Sequence, residues 1–421
     1  MSAKETQMQL RCVIAGAGLG GLSAAIALRR AGHEVVVLEQ APELGIVGAG
    51  IQMAPNASRL LGAWGVVDRF RDAGVPAQAA VRRRWSDGEK LGEVVLGQRL
   101  LDSFGASYWC LHRADLHGAL VGVATDPDGP GTPVEIRTGA PVARVVANGA
   151  DEARVVTADG TEFAGDVVIG ADGIRSAVRD SLFGPQPPSF SGRVTNRHMI
   201  DVATVQDDPL LAEILERPAQ NIWIGPGGHV ITHPISGGAG LYMGVTTSGV
   251  RDDEAFWSTP ISQADMLAAR EGWDPRILRL IEAAPMITAY GLHDSEPMET
   301  WIDGRVALLG DACHAMMPFQ AQGAAQAIED AAVLGETLAG VAPGEVAAAL
   351  ERYEARRKPR ASRVQALSRA NGKTWHVPDG PEQQARDAAL AKGDSDFRAY
   401  EFLWSTGPGG APAPADPVAA A

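Results

Sequence analysis

A glycine-rich turn near the start of the chain most constrains its fold. The segment at residues 16–21 reads GAGLGG and follows an apolar run at residues 10–15. Residues 20–31 have the apolar spacing of a helix, and a second apolar run, EVVVL, occupies residues 34–38. This order predicts a buried strand, a tight turn, a helix and a second strand.

Each glycine of the turn has its own physical role. Gly16 permits the tight turn, Gly18 lets the backbone approach a pyrophosphate, and Gly21 lets helix and strand pack closely. The helix N-terminus offers unpaired N–H groups and a positive dipole end to phosphates. Glu39 lies 18 residues after Gly21, near the distance at which an acid holds an adenosine ribose. The segment therefore predicts a site for FAD or NAD rather than NADP, because an acid disfavours a 2′-phosphate.

Two later segments again place glycine and an acid at the end of a predicted strand. GADG at residues 170–173 contributes Asp172, and LLGDA at residues 308–312 contributes Asp311. Open α/β sheets bind ligands at the carboxyl ends of their strands. No second GxGxxG lies in a strand–helix–strand frame. We therefore expect one firmly held dinucleotide, gripped at three turns.

Composition argues against several classes of partner. The 421 residues carry a net charge of −14, which disfavours nucleic acid and anionic membrane surfaces. The first residues lack the apolar core of a signal peptide, and no apolar run is long enough to span a membrane. Cys12, Cys110 and Cys313 form no CxxC pair and no metal-type spacing, which favours a reduced, cytoplasmic protein with neither structural disulfides nor a metal.

The three turns and two further segments together resemble the fingerprints of the group A, single-component FAD-dependent aromatic hydroxylases. The further segments are WCLHRADLHGAL at residues 109–120 and GIVGAGIQMAPNASRLLGAWGV at residues 45–66. The likeness covers most of residues 10–370. It is greatest for the branch of salicylate hydroxylase, 3-hydroxybenzoate 6-hydroxylase and 6-hydroxynicotinate 3-monooxygenase.

The resemblance implies an α/β fold with a Rossmann-like FAD-binding domain built on a parallel sheet. An antiparallel-sheet substrate domain and a C-terminal helix complete it. We expect a long amphipathic helix in the C-terminal region, broken near Pro359. The expected boundaries are 8–75, 105–185 and 300–345 for the FAD-binding domain, 76–104 and 186–299 for the substrate domain, 346–405 for the helical region, and 406–421 for a disordered tail.

The resemblance also implies which residues hold FAD. Glu39 would bind the adenosine ribose, and Asp311 the ribityl and pyrophosphate region. Asp172 and Gly173 would serve both FAD and the transient nicotinamide. The full implied set is Gly16, Gly18, Leu19, Gly21, Glu39, Gln40, Gly50, Ile51, Arg113, Asp172, Gly173, Asp311, Gly323 and Ala324, the last two beginning a helix aimed at the flavin.

The activity implied is that of an NAD(P)H-dependent flavoprotein monooxygenase. NADH or NADPH reduces FAD, O₂ adds to give a flavin C4a-hydroperoxide, and a small phenolic or heteroaromatic substrate of benzoate or pyridine type is hydroxylated. Three alternatives stay open: an epoxidase or tailoring monooxygenase of a polycyclic metabolite, an oxidase that makes only hydrogen peroxide, and a flavin-binding regulatory protein. We expect a monomer or homodimer.

Histidines on the substrate side are the candidate bases. The segments NIWIG, HVITHPI and LYMGVTT predict three strands of an antiparallel sheet, on which His229 and His233 point to one face. His293 is the third candidate. A zinc site at the first two lacks a carboxylate or cysteine at ligand spacing. Cys313 and His314 are adjacent in the chain, so they do not form a facing nucleophilic pair.

Four further residues are expected to line the substrate pocket: Gln52, Asn196, Pro318 and Phe319. Relatives often have tyrosine where this chain has His233 and His293, so the polarity of the pocket should differ. A clamp for a substrate carboxylate is not evident. The candidates for such a clamp are Arg193, Arg197 and Arg251, and the alternative interpretation of each is an arginine at the surface or at a sheet edge.

Overall fold

The computed structural model describes residues 8–45, 49–248, 258–284, 288–393 and 398–405. The expected tail at 406–421 and Arg251 lie outside these ranges. The strands are β1 (Arg11–Ala15), β2 (Glu34–Leu38), β3 (Gly50–Met53), β4 (Val75–Pro76), β5 (Ala79–Arg84), β6 (Lys90–Val95), β7 (Trp109–His112), β8 (Glu135–Arg137), β9 (Val142–Asn148), β10 (Ala153–Thr157), β11 (Glu162–Gly165), β12 (Val167–Gly170), β13 (Ser189–Asp201), β14 (Ala219–Gly225), β15 (Gly228–Ile235), β16 (Gly240–Ser248), β17 (Ser258–Pro260), β18 (Thr288–Asp294), β19 (Ile302–Asp303) and β20 (Val306–Leu308). The α-helices are α1 (Leu19–Arg30), α2 (Pro55–Ala63), α3 (Val66–Phe70), α4 (Gln98–Phe104), α5 (Arg113–Ala124), α6 (Ala177–Phe183), α7 (Ala212–Leu215), α8 (Gln263–Ala268), α9 (Pro275–Ala283), α10 (Asp311–His314), α11 (Gly323–Leu338), α12 (Val346–Trp375), α13 (Pro381–Gly393) and α14 (Arg398–Trp404).

A six-stranded sheet brings the three predicted turns to one edge. Its order is β19-β20-β12-β1-β2-β8, and every neighbouring pair except β19–β20 is parallel. Ala15 is level with Gly170, and Gly170 is level with Leu308. The carboxyl ends of β1, β12 and β20 therefore lie side by side, where an open α/β sheet binds ligands.

An eight-stranded, mainly antiparallel sheet forms the second layer, in the order β17-β18-β13-β16-β15-β14-β5-β6. It contains the three strands predicted from the histidine-bearing segments, which confirms that prediction. One face packs Val230, Met243 and Val245 against Ile277 and Leu280 of α9. Together with the parallel sheet and the C-terminal helices, this sheet confirms the predicted fold class.

The predicted break near Pro359 is wrong, because α12 runs without interruption from Val346 to Trp375. Proline removes one backbone donor and crowds the preceding turn. Arginines on both sides of it are held to a neighbouring helix: Arg357 and Arg360 each bind Glu329 of α11. These buried ion pairs attach the helix to α11 on both sides of the proline.

His198 of β13 generates a prediction about acid stability. It faces the apolar layer beneath α9, opposite Met243, and its side chain is 1% exposed. Neither ring nitrogen has a hydrogen-bond partner within the described chain, and burial lowers the pKa of His198 from 6.5 to about 4. The unfolded chain therefore binds a proton that the folded chain does not, and stability is lost as pH falls below 6.5 toward 4.

We expect His198→Leu to remove this share of the acid sensitivity. Between about pH 7 and pH 5, the wild-type free energy of unfolding should fall by about 2 kcal/mol more than that of the variant. Urea midpoints at the two pH values measure the difference. Met199→Leu, at the neighbouring exposed residue, should behave like the wild type. An equal pH response of His198→Leu and wild type would contradict the prediction.

Candidate flavin and substrate site

A cavity of about 410 Å³ lies between the two large sheets. Its wall includes the first glycine turn, the turns after β12 and β20, the start of α11, one face of the eight-stranded sheet and the C-terminal helices. The implied site residues that line it are Gly18, Leu19, Gly50, Ile51, Arg113, Gly173, Asp311, Gly323, Ala324, Gln52, Pro318, Phe319, His229 and His233.

The three glycines of the first turn differ in what surrounds them. Gly16 has φ +99°, and a Cβ there would lie 2.5 Å from the Ala171 carbonyl oxygen. A Cβ on Gly21 would lie 2.0 Å from the Gly16 carbonyl oxygen. A Cβ on Gly18 would meet nothing within 4 Å, and Gly18 lines the cavity. Packing therefore fixes Gly16 and Gly21, while open space at Gly18 is left for a ligand.

Several implied cofactor residues support the turns instead of lining the cavity. The Glu39 carboxylate accepts the N–H groups of Ala17 at 2.7 Å and Ala41 at 2.9 Å, which ties the end of β2 to the glycine turn. Asp172 accepts from the Ser176 hydroxyl at 2.5 Å. Burial raises the pKa of Asp172, and the hydrogen bonds that Asp172 accepts from Ser176 and from the Val178 N–H partly oppose this rise. Gln40 is exposed and outside the cavity wall.

Donors of the cavity wall fit a bound dinucleotide. Burial lowers the pKa of Arg113, an effect that the charge of Asp311 opposes. Arg113 Nε and Gln322 Nε2 are buried without a hydrogen-bond partner in the part of the chain that the structure describes. Gly323 begins the 16-residue helix α11 beside them, so its unpaired N–H groups also face the cavity. Open backbone, a helix N-terminus and unpartnered donors suit phosphates and a flavin ring edge.

A buried ionic cluster fixes the turn after β20. Asp330 Oδ2 accepts from the Gly310 N–H at 3.1 Å and lies 2.6 Å from His314 Nε2, while Oδ1 accepts from Arg357 Nε at 2.7 Å. Burial by itself raises the pKa of Asp330, but His314 and Arg357 outweigh it and hold the value at about 2. Burial also raises the pKa of the Cys313 thiol well above its usual range. His314 and Cys313 are therefore structural groups, as expected.

Alternation along the strands decides which side chains of the eight-stranded sheet reach the cavity. Thr195, Thr246 and His229 are cross-strand neighbours and all line it. Asn196 instead pairs with Val245 and faces the apolar layer under α9, so its predicted place in the pocket is wrong. Successive residues of a strand point to opposite faces.

His293 also lies away from the cavity. Its ring packs 5.4 Å from Phe190, with Nδ1 3.2 Å from the Gly291 carbonyl oxygen. It does not contribute to the cavity wall, so the structure does not place it where a base would act. The strand β18 that carries it pairs with β13 across an irregularity between Phe190 and Arg193, which shifts the register there.

His229 has a partner that the sequence did not reveal. Its Nδ1 lies 2.8 Å from Nε2 of His376, and the two rings are nearly parallel, at 8°. Phe319 and Trp375 approach the His229 ring edge to face, at 5.4 and 5.2 Å. Burial lowers the pKa of His229 well below 6.5, and the charges of His376 and nearby arginines lower it further. His229 is thus a neutral imidazole near pH 7.

His233 of β15 and Gln52 of β3 line another part of the cavity. A Cβ on Gly50 would lie 2.6 Å from the His233 ring, so glycine is what allows this packing. Burial lowers the pKa of His233 to about 4. Gln52 Oε1 accepts from the Tyr108 hydroxyl and from Gln220 Nε2, both at 2.7 Å.

Sequence reasoning missed several cavity residues. They are Arg82, Tyr108, Gln220, Trp375, Tyr400 and Trp404, with His376 behind His229. The alternation of β5 could have indicated Arg82, because Ala80 shares its face. The aromatic residues of the C-terminal region carry no local signal for a pocket. Within the described ranges, no cluster of three or more potential metal ligands exists, and no helix is long and apolar enough to cross a membrane.

Comparison with known proteins agrees with this geometry. The family described as FAD binding domain matches residues 9–368. The chain is 36% identical to 3-amino-4-hydroxybenzoate 2-monooxygenase of Streptomyces platensis over 94% of its length and 96% of that protein. It is 37% identical to 3-hydroxybenzoate 6-hydroxylase 1 of Aquipseudomonas alcaligenes, with the same two coverages of 94% and 96%. The crystal structure of Klebsiella pneumoniae HpxO complexed with FAD and uric acid superposes with a TM-score of 0.80 at 27% identity, over 95% of this chain and 98% of that one.

Fold and comparisons define an FAD-binding flavoprotein with a Rossmann-like parallel sheet and a large, mainly antiparallel sheet across the cavity from it. The chain belongs to the FAD binding domain family. It is an FAD-dependent monooxygenase that takes its reducing equivalents from NAD(P)H.

Gly18 and Gly21 should respond differently to the same substitution. We expect Gly18→Ala to leave the stability of the flavin-free protein unchanged but to weaken FAD binding by at least about tenfold, because its Cβ enters the ligand space. Gly21→Ala should lower the stability of the flavin-free protein by roughly 1–3 kcal/mol, because its Cβ overlaps the Gly16 carbonyl. Fluorescence titration with FAD and urea unfolding measure the two effects. A Gly18→Ala protein with unchanged FAD affinity would contradict this assignment.

Replacing His376 should raise the pKa of His229. In His376→Ala, the His229 ring loses a neighbour that buries it and becomes better solvated, so protonation should begin at higher pH. NMR titration of the imidazole C–H signals measures this, with assignments from a His229 variant. His233 is the internal control, because burial sets its pKa without a contribution from His376. A His229 signal that titrates as in the wild type would rule out the coupling.

Proposed function

We propose that this monooxygenase hydroxylates a small phenolic or heteroaromatic acid of benzoate or pyridine type, with His229 as the group that handles the phenol proton. The proposal depends on one observation: His229 is a buried imidazole enclosed by aromatic side chains. It lies on the face of the eight-stranded sheet, across the cavity from the turns that follow β1, β12 and β20. The names of the relatives support the substrate class, since two of them act on hydroxybenzoates.

The division of labour between cofactor and chain follows from the site. When bound, FAD supplies the redox and oxygen-transfer chemistry. Gly18, Arg113, Asp311 and the start of α11 at Gly323 would hold it. The chain itself positions the ring, excludes water and manages the phenol proton.

His229 is suited to exchange a proton with a phenol. Its low pKa keeps the imidazole neutral near pH 7, so one ring nitrogen is free to accept a proton while the other carries one. Partial removal of the phenol proton makes the aromatic ring more nucleophilic, which is the direction that hydroxylation needs. His376 at 2.8 Å holds the orientation of the ring.

The walls around His229 limit the access of water. Phe319, Trp375 and Ile231 line the same chamber, and Gly372 allows α12 to approach the Phe319 ring, which a Cβ would meet at 2.6 Å. A dry chamber protects a reactive oxygen species from wasteful decay. We therefore expect tight coupling between NAD(P)H oxidation and product formation when the right substrate is bound.

A substrate panel tests the proposal directly. The purified protein should contain FAD and should oxidise NADH or NADPH faster with hydroxylated benzoates or pyridine carboxylates, forming hydroxylated product in near-stoichiometric yield. Peroxide without product across the panel would favour the oxidase reading. Turnover of bulky polycyclic phenols alone would favour the tailoring reading.

Two histidine variants should separate the base from its neighbour. We expect His229→Phe to lower the rate of hydroxylation by roughly 10²- to 10⁴-fold, the usual contribution of a positioned general base. FAD binding should be retained. His233→Phe removes the second candidate and should reduce the rate less, with the pH profile unchanged. His198→Leu, a buried histidine on the opposite face of the same sheet, is the control. Normal hydroxylation by His229→Phe would overturn the assignment.

A further inference from the structure

Arg82 is an unusual cation in the cavity wall. It lies on β5, is 9% exposed and lines the cavity. Its Nη2 donates to the Tyr400 hydroxyl at 3.2 Å, and its Nη1 is buried without a hydrogen-bond partner within the described chain. None of the ion pairs among the described residues involves Arg82.

Other buried arginines of this protein have either a carboxylate partner or, like Arg29 and Arg305, several backbone carbonyl acceptors. Arg83, the next residue of the strand, binds Glu213 at 2.8 Å on the other side of the sheet. Arg357 binds both Glu329 and Asp330. A buried charge without a partner costs several kcal/mol. An uncompensated guanidinium that borders a cavity therefore indicates an anion as the missing partner.

The surroundings of Arg82 suit an aromatic anion. Its guanidinium lies 5.5 Å from the centre of the Trp375 ring, and Tyr400 stacks on Trp404 at 4.6 Å. All three rings line the cavity. Flat, apolar walls next to one fixed cation match a planar ring that carries a carboxylate.

Arg82 also shares its chamber with His229. Cross-strand pairing aligns Arg82 with Ile222, and Ile222 with Ile231, two residues from His229 on the same face. Because β14 lies between β5 and β15, the backbones of Arg82 and Ile231 are two strand spacings, or roughly 10 Å, apart. The side chains of Arg82 and Ile231 both line the cavity. The positive charge of Arg82 is one of the influences that lower the pKa of His229.

Two other arginines, Arg113 and Arg197, line the cavity, and each lies next to a group other than the chamber of His229. Arg113 faces Asp311 in the flavin region. Arg197 lies 4.5 Å from the centre of the Tyr290 ring. Arg193 donates to the Gly227 carbonyl and does not line the cavity. Arg82 is thus the cation best placed for a substrate, and it was not among the clamp candidates of the sequence.

We propose that Arg82 binds the carboxylate of the aromatic acid and so selects acids over neutral phenols of the same shape. The inference rests on the proposed function, since it concerns the same chamber. A bound carboxylate would also neutralise the positive charge of Arg82, which disfavours the protonated form of His229. Arrival of the substrate would then make His229 a stronger base.

Binding to the FAD-loaded enzyme tests the inference without turnover. Flavin absorbance titrations would compare 3-hydroxybenzoate with 3-hydroxybenzamide, which has the same shape but no charge. We expect the wild type to prefer the acid and Arg82→Met to lose about 10- to 100-fold of that preference, the usual effect of a charged hydrogen bond. Arg82→Lys should restore part of it, because it keeps the charge but not the planar fork.

Arg84→Met is the matched control. Arg84 lies on the same strand and is paired with Asp87 and Glu89, so its loss should leave the acid preference unchanged. FAD content and melting temperature verify that each variant is folded. If wild type shows no preference for the acid, or binds neither probe, or if Arg82→Met weakens acid and amide equally, the inference is overturned.

The outcome is distinguishable from failure of the proposed function. An acid preference that depends on Arg82, without hydroxylation of any acid in the panel, would sink the hydroxylase proposal and keep the anion site. Hydroxylation of phenols by an enzyme that shows no preference for acids would keep the hydroxylase proposal and rule out the anion site at Arg82.

Discussion

The buried carboxylate of Asp330 holds the parts of the site in place. It joins the turn after β20 to α11 and α12, through the Gly310 N–H, His314 and Arg357. Its neighbour Glu329 accepts from Asn56 of α2 and binds Arg360. Removing one member of such a buried network leaves an uncompensated charge, which typically costs 3–5 kcal/mol.

The same network reaches the substrate side. Arg360 also donates to the carbonyl groups of Phe402 and Leu403 at the end of α14. Tyr400 and Trp404 of that helix form part of the cavity wall. One set of charges therefore fixes both the turn after β20 and the aromatic wall that α14 contributes to the cavity.

The two sheets contribute in different ways to one reaction chamber. The parallel sheet supplies strand ends, where turns expose backbone N–H groups to phosphates. The antiparallel sheet supplies one of its faces, where every second side chain reaches the cavity. The protein as a whole is acidic, with a net charge of −14, yet the chamber holds Arg82 and Arg197 and neutral histidines. Although Asp311 also lines the cavity, these arginines fit the anionic substrate that we propose.

The sequence by itself determined the glycine turn at residues 16–21, the turns at Asp172 and Asp311, and the helix that begins at Gly323, because chain geometry over a few residues dictates such features. The tertiary structure alone decided which side chains meet. His376 lies 147 residues from His229, and Tyr400 lies 318 residues from Arg82, so no local pattern could pair them. The same reason explains Asn196, whose face depends on the pairing of β13, and Pro359, which lies inside a continuous helix that Glu329 of α11 holds through Arg357 and Arg360.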